Sequence, residues 1–128
     1  MTAGLAARLA AITGDAWVTT APEARHAYGR DALQRGHPAD VVVTPATSAE
    51  LAAIARLCHA TRTPLVVRGA GTGYTGGAVP IRGGVVLSMA RFTRILAIDA
   101  DNLLAVVEPN VVTRDLHDAV EARGLFYP

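Results

Sequence analysis

Ten consecutive residues, Arg68 to Gly77, read RGAGTGYTGG, and five of them are glycine. A stretch so poor in side chains cannot build a core. What it offers is backbone, and amides bared by glycine are a recurrent means of holding phosphate oxygens. Glycine permits positive φ, so successive N–H groups can converge on one anion, each charge-assisted bond being worth roughly 1.5–3 kcal/mol. Thr72 and Thr75 add hydroxyl donors, and Arg68 places a positive charge beside the loop. The chemistry suited to these types and spacings is the capture of a cofactor pyrophosphate.

Three phosphate-binding readings compete for the stretch. A Walker loop requires a lysine and a hydroxyl residue after its last glycine; Ala78 and Val79 follow Gly77, which excludes it. Gly71, Gly73 and Gly76 spell G-x-G-x-x-G, with Asp99 standing 23 residues beyond Gly76, the outline of a Rossmann fingerprint. That fingerprint needs a helix opening at its third glycine. Pro80, Gly83, Gly84 and the β-rich run VVLSM occupy the space instead. A helix there would cost about 3 kcal/mol for the proline and about 1 kcal/mol for each glycine, with no amphipathic period to offset it. The reading retained is a loop that wraps the pyrophosphate with backbone amides and no helix. Tight turns in a β-rich region are the plainer alternative; the density of glycine, the adjoining hydroxyl residues and the preceding strand weigh against it.

The elements that must position this loop follow from pattern. Leu65, Val66 and Val67, after Pro64, read as a strand leading into it, and Val41–Val43, closed by Pro45, reads as an earlier buried strand. Between them Thr47 and Glu50 form a capping box, with Leu51, Ile54, Ala55 and Cys58 on one helical face. Cys58 on that stripe reads as a small core residue, and Arg56 and His59 as solvated side chains. Strand, helix and strand make a βαβ unit with parallel strands, which puts the glycine loop at a carboxyl edge, where open α/β sheets bind ligands. Val85, Val86, Leu87 and Met89 predict a further strand. Ile95–Ile98 and Leu103–Val107 predict a hairpin about the turn formers from Asp99 to Asn102. A last helix is predicted with Thr113 as its cap, Leu116, Ala119 and Val120 inward, Arg123 in the last turn and Gly124 as its stop. Upstream, Leu5, Leu9 and Ile12 give a short amphipathic helix from Ala3 to Thr13, stopped by Gly14. Residues 15–38 carry no sustained period and read as loop with at most one helical turn.

Length and composition set the bounds. At 128 residues there is room for one domain, burying roughly two-thirds of its extended-chain surface. A hydrophobic fraction of 51% with 18% charged residues is globular, and a net charge of +1 offers no footprint for nucleic acid. The single cysteine, Cys58, excludes an internal disulfide and a cysteine-rich metal site and fits a reducing compartment, so a cytoplasmic location is expected. No apolar run approaches the roughly 20 residues of a membrane span, and no signal-peptide core is present. The apolar close, Leu125 to Pro128, predicts a piece of a longer protein.

The segments PLVVRGAGTGYTGGAVPIRGGVVLSMARF and VVEPNVVTRDLHDAVEARGLFYP, with the earlier PADVVVTPATSAELAAI, resemble the first half of the PCMH-type FAD-binding domain of the vanillyl-alcohol-oxidase superfamily. Within it they are similar to the FAD-linked subunit of glycolate oxidase and to flavin D-lactate dehydrogenases. The resemblance implies an α+β fold with a small parallel βαβ core, a hairpin and flanking helices. It divides the chain into an N-terminal helix and loop, 1–38, and the first subdomain of an FAD-binding domain, 39–128, truncated at Pro128. Arg68, Gly69, Ala70, Gly71, Thr72, Gly73, Thr75, Gly76 and Gly77 are implied to surround the FAD pyrophosphate, and Pro45 and Pro109 to line the same cofactor. Thr72 stands where covalently flavinylated relatives carry histidine, so non-covalent FAD is expected. Asn110 stands where the family usually has glycine, asparagine being the residue that best tolerates positive φ after it.

The implied parent oxidises a D-2-hydroxy acid of the glycolate or D-lactate type by hydride transfer to FAD. It is expected to work beside other oxidase subunits, an iron–sulfur subunit among them, in the cytoplasm or peripheral to a membrane. The family's catalytic residues lie in later segments. No catalytic or metal-binding residue is therefore assigned, none of His26, His37, His59 and His117 matches a catalytic position, and this segment alone is expected to be inactive. A stand-alone dinucleotide-binding module, a truncation that merely associates, and another oxidase of the superfamily, such as a sugar-lactone oxidase, are the alternatives.

Overall fold

The computed structural model describes residues 2–128, position 2 as backbone only, and the chain divides into two compact units, Met1–Arg91 and Phe92–Pro128. In the first unit, helix α1 (Thr2–Thr13) ends at Gly14, whose φ of 90° lets the chain turn off the helix. A 3-10 turn, Asp15–Trp17, leads to β1 (Val18–Thr19) and then α2 (Pro22–Ala27). Over 15–38 the expectation is loop with at most one helical turn; α2 is that short helix, a little longer than expected, and the 3-10 turn and β1 are additions to it. Two residues of strand and six of helix are too few to show a period, and Pro22 supplies the start of α2 by its preset φ rather than by pattern.

Four strands form the sheet of this unit in the order β1-β2-β4-β3, with β2 at Val41–Val43, β3 at Leu65–Arg68 and β4 at Val85–Ser88. β1 runs antiparallel to β2, while β2 and β3 both run parallel to β4. The predicted βαβ strands are thus parallel, but β4 is inserted between them and pairs with each. In register, Val42, Val86 and Val66 lie side by side. With Ala39 and Tyr28 they form one packed cluster, and the alternate residues Val41, Val43, Val85 and Leu87 are buried on the opposite face. Valine-rich, near-continuous apolar runs suit strands buried on both sides, as β2 and β4 are. β3, at the edge, leaves Val67 exposed.

Helix α3 (Ser48–Ala60) begins as predicted, with the Glu50 amide donating to Thr47 Oγ1 at 3.2 Å. The reciprocal bond differs: Glu50 Oε2 accepts from the Ala46 amide at 2.6 Å, one residue earlier than the Thr47 amide expected. The buried stripe is also rotated. Ile54, Leu57 and Cys58 are buried and Ala55 is exposed. Arg56 and His59 are exposed, as read.

The second unit holds β5 (Ile95–Asp99) and β6 (Leu104–Val107), paired antiparallel, and α4 (Thr113–Glu121). Thr113 is the first residue of α4 and does not cap it; Val112 stands at the cap position with no side-chain bond, and Arg123 lies beyond the helix. The stop is as read. Gly124, at φ 70°, donates to the Glu121 carbonyl and Leu125 donates to that of Val120, the two bonds of a Schellman motif. Asn110 is not at positive φ, so it replaces glycine without strain; its amide donates to the Phe92 carbonyl at 2.9 Å.

Candidate functional site

The glycine loop leaves β3 at Arg68 and runs without helix or strand until β4 begins at Val85. This removes the helix on which the Rossmann reading depends. Its acidic residue is also engaged elsewhere: Asp99 accepts from the Asn102 amide at 3.0 Å and from Asn102 Nδ2 at 2.8 Å, closing the hairpin turn.

The decisive geometry is in the backbone. Among the described residues, no amide from Gly69 through Ala78 donates a hydrogen bond to another part of the protein. The next amide, that of Val79, does donate, to the Gly76 carbonyl, and before the loop the Arg68 carbonyl accepts from the Met89 amide. Gly71 and Gly76 have φ of 75° and 79°, the left-handed conformation that turns neighbouring amides to a common side. Many tight turns close with an internal amide-to-carbonyl bond, and none of these ten residues donates one. A Cβ built on Gly73, Gly76 or Gly77 meets nothing within 4 Å. Gly73 and Gly77 lack a left-handed φ as well, so the protein's own packing gives no reason for glycine at either. Both are what a cradle requires if an external body is to approach the backbone closely. The residues present therefore fit a pyrophosphate.

Side chains and charge agree with an anion. Thr72, Tyr74 and Thr75 are exposed on the loop. Residues 51–98 contain six arginines and no aspartate or glutamate, a local imbalance that the net charge of +1 conceals. Arg68 is less free than the sequence suggested. Its guanidinium lies over the Tyr28 ring at 5.7 Å and donates to the Arg30 carbonyl. Pro45, after β2, is fully buried, so its ring offers no surface to a ligand. Pro109 is exposed in the second unit, in the turn after β6. Tyr28, Arg30 and Ala32, which hold the loop in place, carried no periodic signal. The one trace was Asp31 ahead of a turn, the pattern of a side chain capping its own following amides.

The arrangement is suited to binding. Cys58 is buried and its thiol is pushed up by that burial, which disfavours a thiolate nucleophile. Among the described residues there is no cluster of metal-ligating side chains and no helix long and apolar enough to cross a membrane. A concavity of about 500 Å³, lined by Arg8, Asp40, Arg62 and Pro64 among others, lies at the amino ends of β2, β3 and β4, the pole of the sheet opposite the loop.

Residues 39–128 match the FAD binding domain family. Over 89 residues the chain is 45% identical to the glycolate oxidase subunit GlcD of Bacillus subtilis, covering 70% of this chain and 19% of that protein. Over 118 residues it is 34% identical to a probable mitochondrial D-lactate dehydrogenase of Danio rerio, covering 91% of this chain and 24% of that protein. The chain thus spans about a fifth to a quarter of these relatives. Among solved structures, 4-ethylphenol oxidase from Gulosibacter chungangensis superposes with a TM-score of 0.82 at 27% identity, covering 95% of this chain and 24% of that one. A p-cresol methylhydroxylase shares the fold, with a TM-score of 0.81 at 22% identity over 96% of this chain and 25% of that one.

Proposed function

We propose that this chain, which belongs to the FAD-binding domain family, holds the pyrophosphate of FAD in a flavin-dependent oxidoreductase acting on a D-2-hydroxy acid of the glycolate or D-lactate type. The observation that carries the reading is the row of amides from Gly69 to Ala78 with no acceptor in the protein, among them those of Gly73, Gly76 and Gly77, whose Cβ positions are open. Gly69, Ala70, Gly71, Gly73, Gly76 and Gly77 would supply backbone donors, and Thr72 and Thr75 hydroxyls. When bound, FAD supplies the hydride acceptor at its flavin ring, and the protein's part is binding and orientation. The substrate class rests on the likeness to glycolate oxidase subunit GlcD and the D-lactate dehydrogenases.

Thr72 stands at the loop position where a histidine would be needed for a covalent flavin bond, so the cofactor is held non-covalently. The first of the relatives is named as a subunit, and this protein is proposed to assemble with further oxidase subunits, one carrying iron–sulfur clusters. No residue here is placed to move a proton from a substrate, so the segment by itself is catalytically inert. Flavin absorbance and fluorescence on titrating FAD into the complete protein test the reading. The expected result is saturable, stoichiometric binding with all flavin released on denaturation. Failure to bind FAD overturns the function; flavin retained after denaturation overturns the non-covalent assignment; turnover of glycolate or D-lactate by residues 1–128 alone overturns the inertness.

A further inference from the structure

Arg68, the last residue of β3, connects the glycine loop to a segment with no role so far. Its guanidinium lies over the Tyr28 ring at 5.7 Å and donates to the Arg30 carbonyl. It also covers Gly71 so closely that a Cβ there would collide with it. A second tie runs beside the first, from the Ala32 amide to the Gly73 carbonyl at 3.3 Å. The segment is itself firmly folded. Asp31 is buried, and its Oδ1 accepts from the amides of Leu33 at 2.9 Å and Arg35 at 3.2 Å. Arg30 bridges to Gly36, and Gly29 lies against the His37 carbonyl so tightly that any Cβ would clash. Tyr28 packs against the cluster of Ala39, Val42 and Val86. A continuous line of contact therefore runs from the sheet core through Tyr28 and Arg68 to Gly71.

We propose that Tyr28–Ala32 is a strap that acts through the Arg68 guanidinium to set the curvature of the phosphate loop, which makes Tyr28 and Arg68 positioning residues for the cofactor. The inference rests on the FAD reading of the loop. Arginine's planar group stacks on a ring with its face while donating from its edge; a lysine ammonium carries the same charge but cannot do both. A charge-conserving substitution therefore separates positioning from simple attraction of phosphate.

The test measures FAD affinity by flavin fluorescence in the complete protein carrying Arg68→Lys, Tyr28→Leu, or both, with Arg56→Gln, on the exposed side of α3, as control. Each single variant is expected to weaken binding about tenfold, Arg68→Lys by losing a charge-assisted hydrogen bond to the Arg30 carbonyl and Tyr28→Leu by removing the ring face that holds the guanidinium. The double variant should bind no worse than the weaker single one, because both act through one guanidinium. Tyr28→Phe, which keeps the ring face, should bind like the wild type. Thermal melts of the FAD-free proteins identify misfolding. If Tyr28→Leu melts low, Arg68→Lys and Tyr28→Phe carry the test. Wild-type affinity in Arg68→Lys, or losses that multiply in the double variant, overturn the strap alone. A wild-type protein that binds no FAD overturns the function proposed above and this inference with it.

Discussion

Glycines of one loop and one sheet serve two different ends, and substitution distinguishes them. At Gly73 and Gly77 an added methyl group meets no protein atom and no left-handed φ. Gly73→Ala and Gly77→Ala should therefore leave the melting temperature unchanged or raise stability by about 0.4–1 kcal/mol through the unfolded chain, while FAD affinity falls in a flavin titration. Gly84, before β4, has φ of 80° and lies against the Pro64 carbonyl. Gly84→Ala should lower stability by more than about 1 kcal/mol, from left-handed strain before any clash is counted. Equal stability losses at all three positions would remove the distinction between a glycine kept for a ligand and one kept for the fold. Arg68 shows the limit of residue-level reading, since its charge was plain in the sequence and its engagement with Tyr28 and Arg30 was not.

Among the elements, β2, β4 and α3 were legible because their signals are local. Short valine-rich apolar runs next to proline or glycine read as buried strands, and Thr47 with Glu50 fixes a helix start. The face of α3 was less so: Ala55 turns outward and Leu57 inward. Ile54→Ala should cost about 2–5 kcal/mol in denaturant unfolding, since the side chain is fully buried. Ala55→Gln should stay within about 0.5 kcal/mol, as an exposed helix position does. A large cost at Ala55 would contradict the observed orientation. β1, α2 and the strap gave no periodic signal because each is too short to repeat its period often enough to show. They are held instead by long-range partners, such as the Thr44 amide donating to the Trp17 carbonyl at 2.9 Å.

On the scale of the whole chain, two carboxylates of the second unit tie its stability to pH. Glu108 is held below the ordinary carboxylate range by hydrogen bonds from the Arg94 side chain and backbone, with Arg94 Nη2 at 2.7 Å. Asp99 is held low by the Asn102 side chain and amide. A depressed folded pKa stabilises fully above the unfolded value, near about 4, and loses that contribution as pH falls through the folded value. The melting temperature should therefore drop on acidification below about pH 4, and Glu108→Gln should flatten part of that fall. An unaltered acid profile in the variant would show that the pair does not contribute. The sequence by itself determined the strand leading into the glycine loop, the capped start of α3, the loop's freedom from a helix and its residue types suited to an anion. Each of these rests on residue types within a short span, where local sterics and hydrogen bonding decide the outcome. Only the tertiary structure decided that β4 lies between β2 and β3, that Pro45 is fully buried, and that Tyr28 and Arg30 contact the loop through Arg68. Those facts join residues tens of positions apart, and such contacts are selected by packing and register across the sheet, which no local pattern encodes.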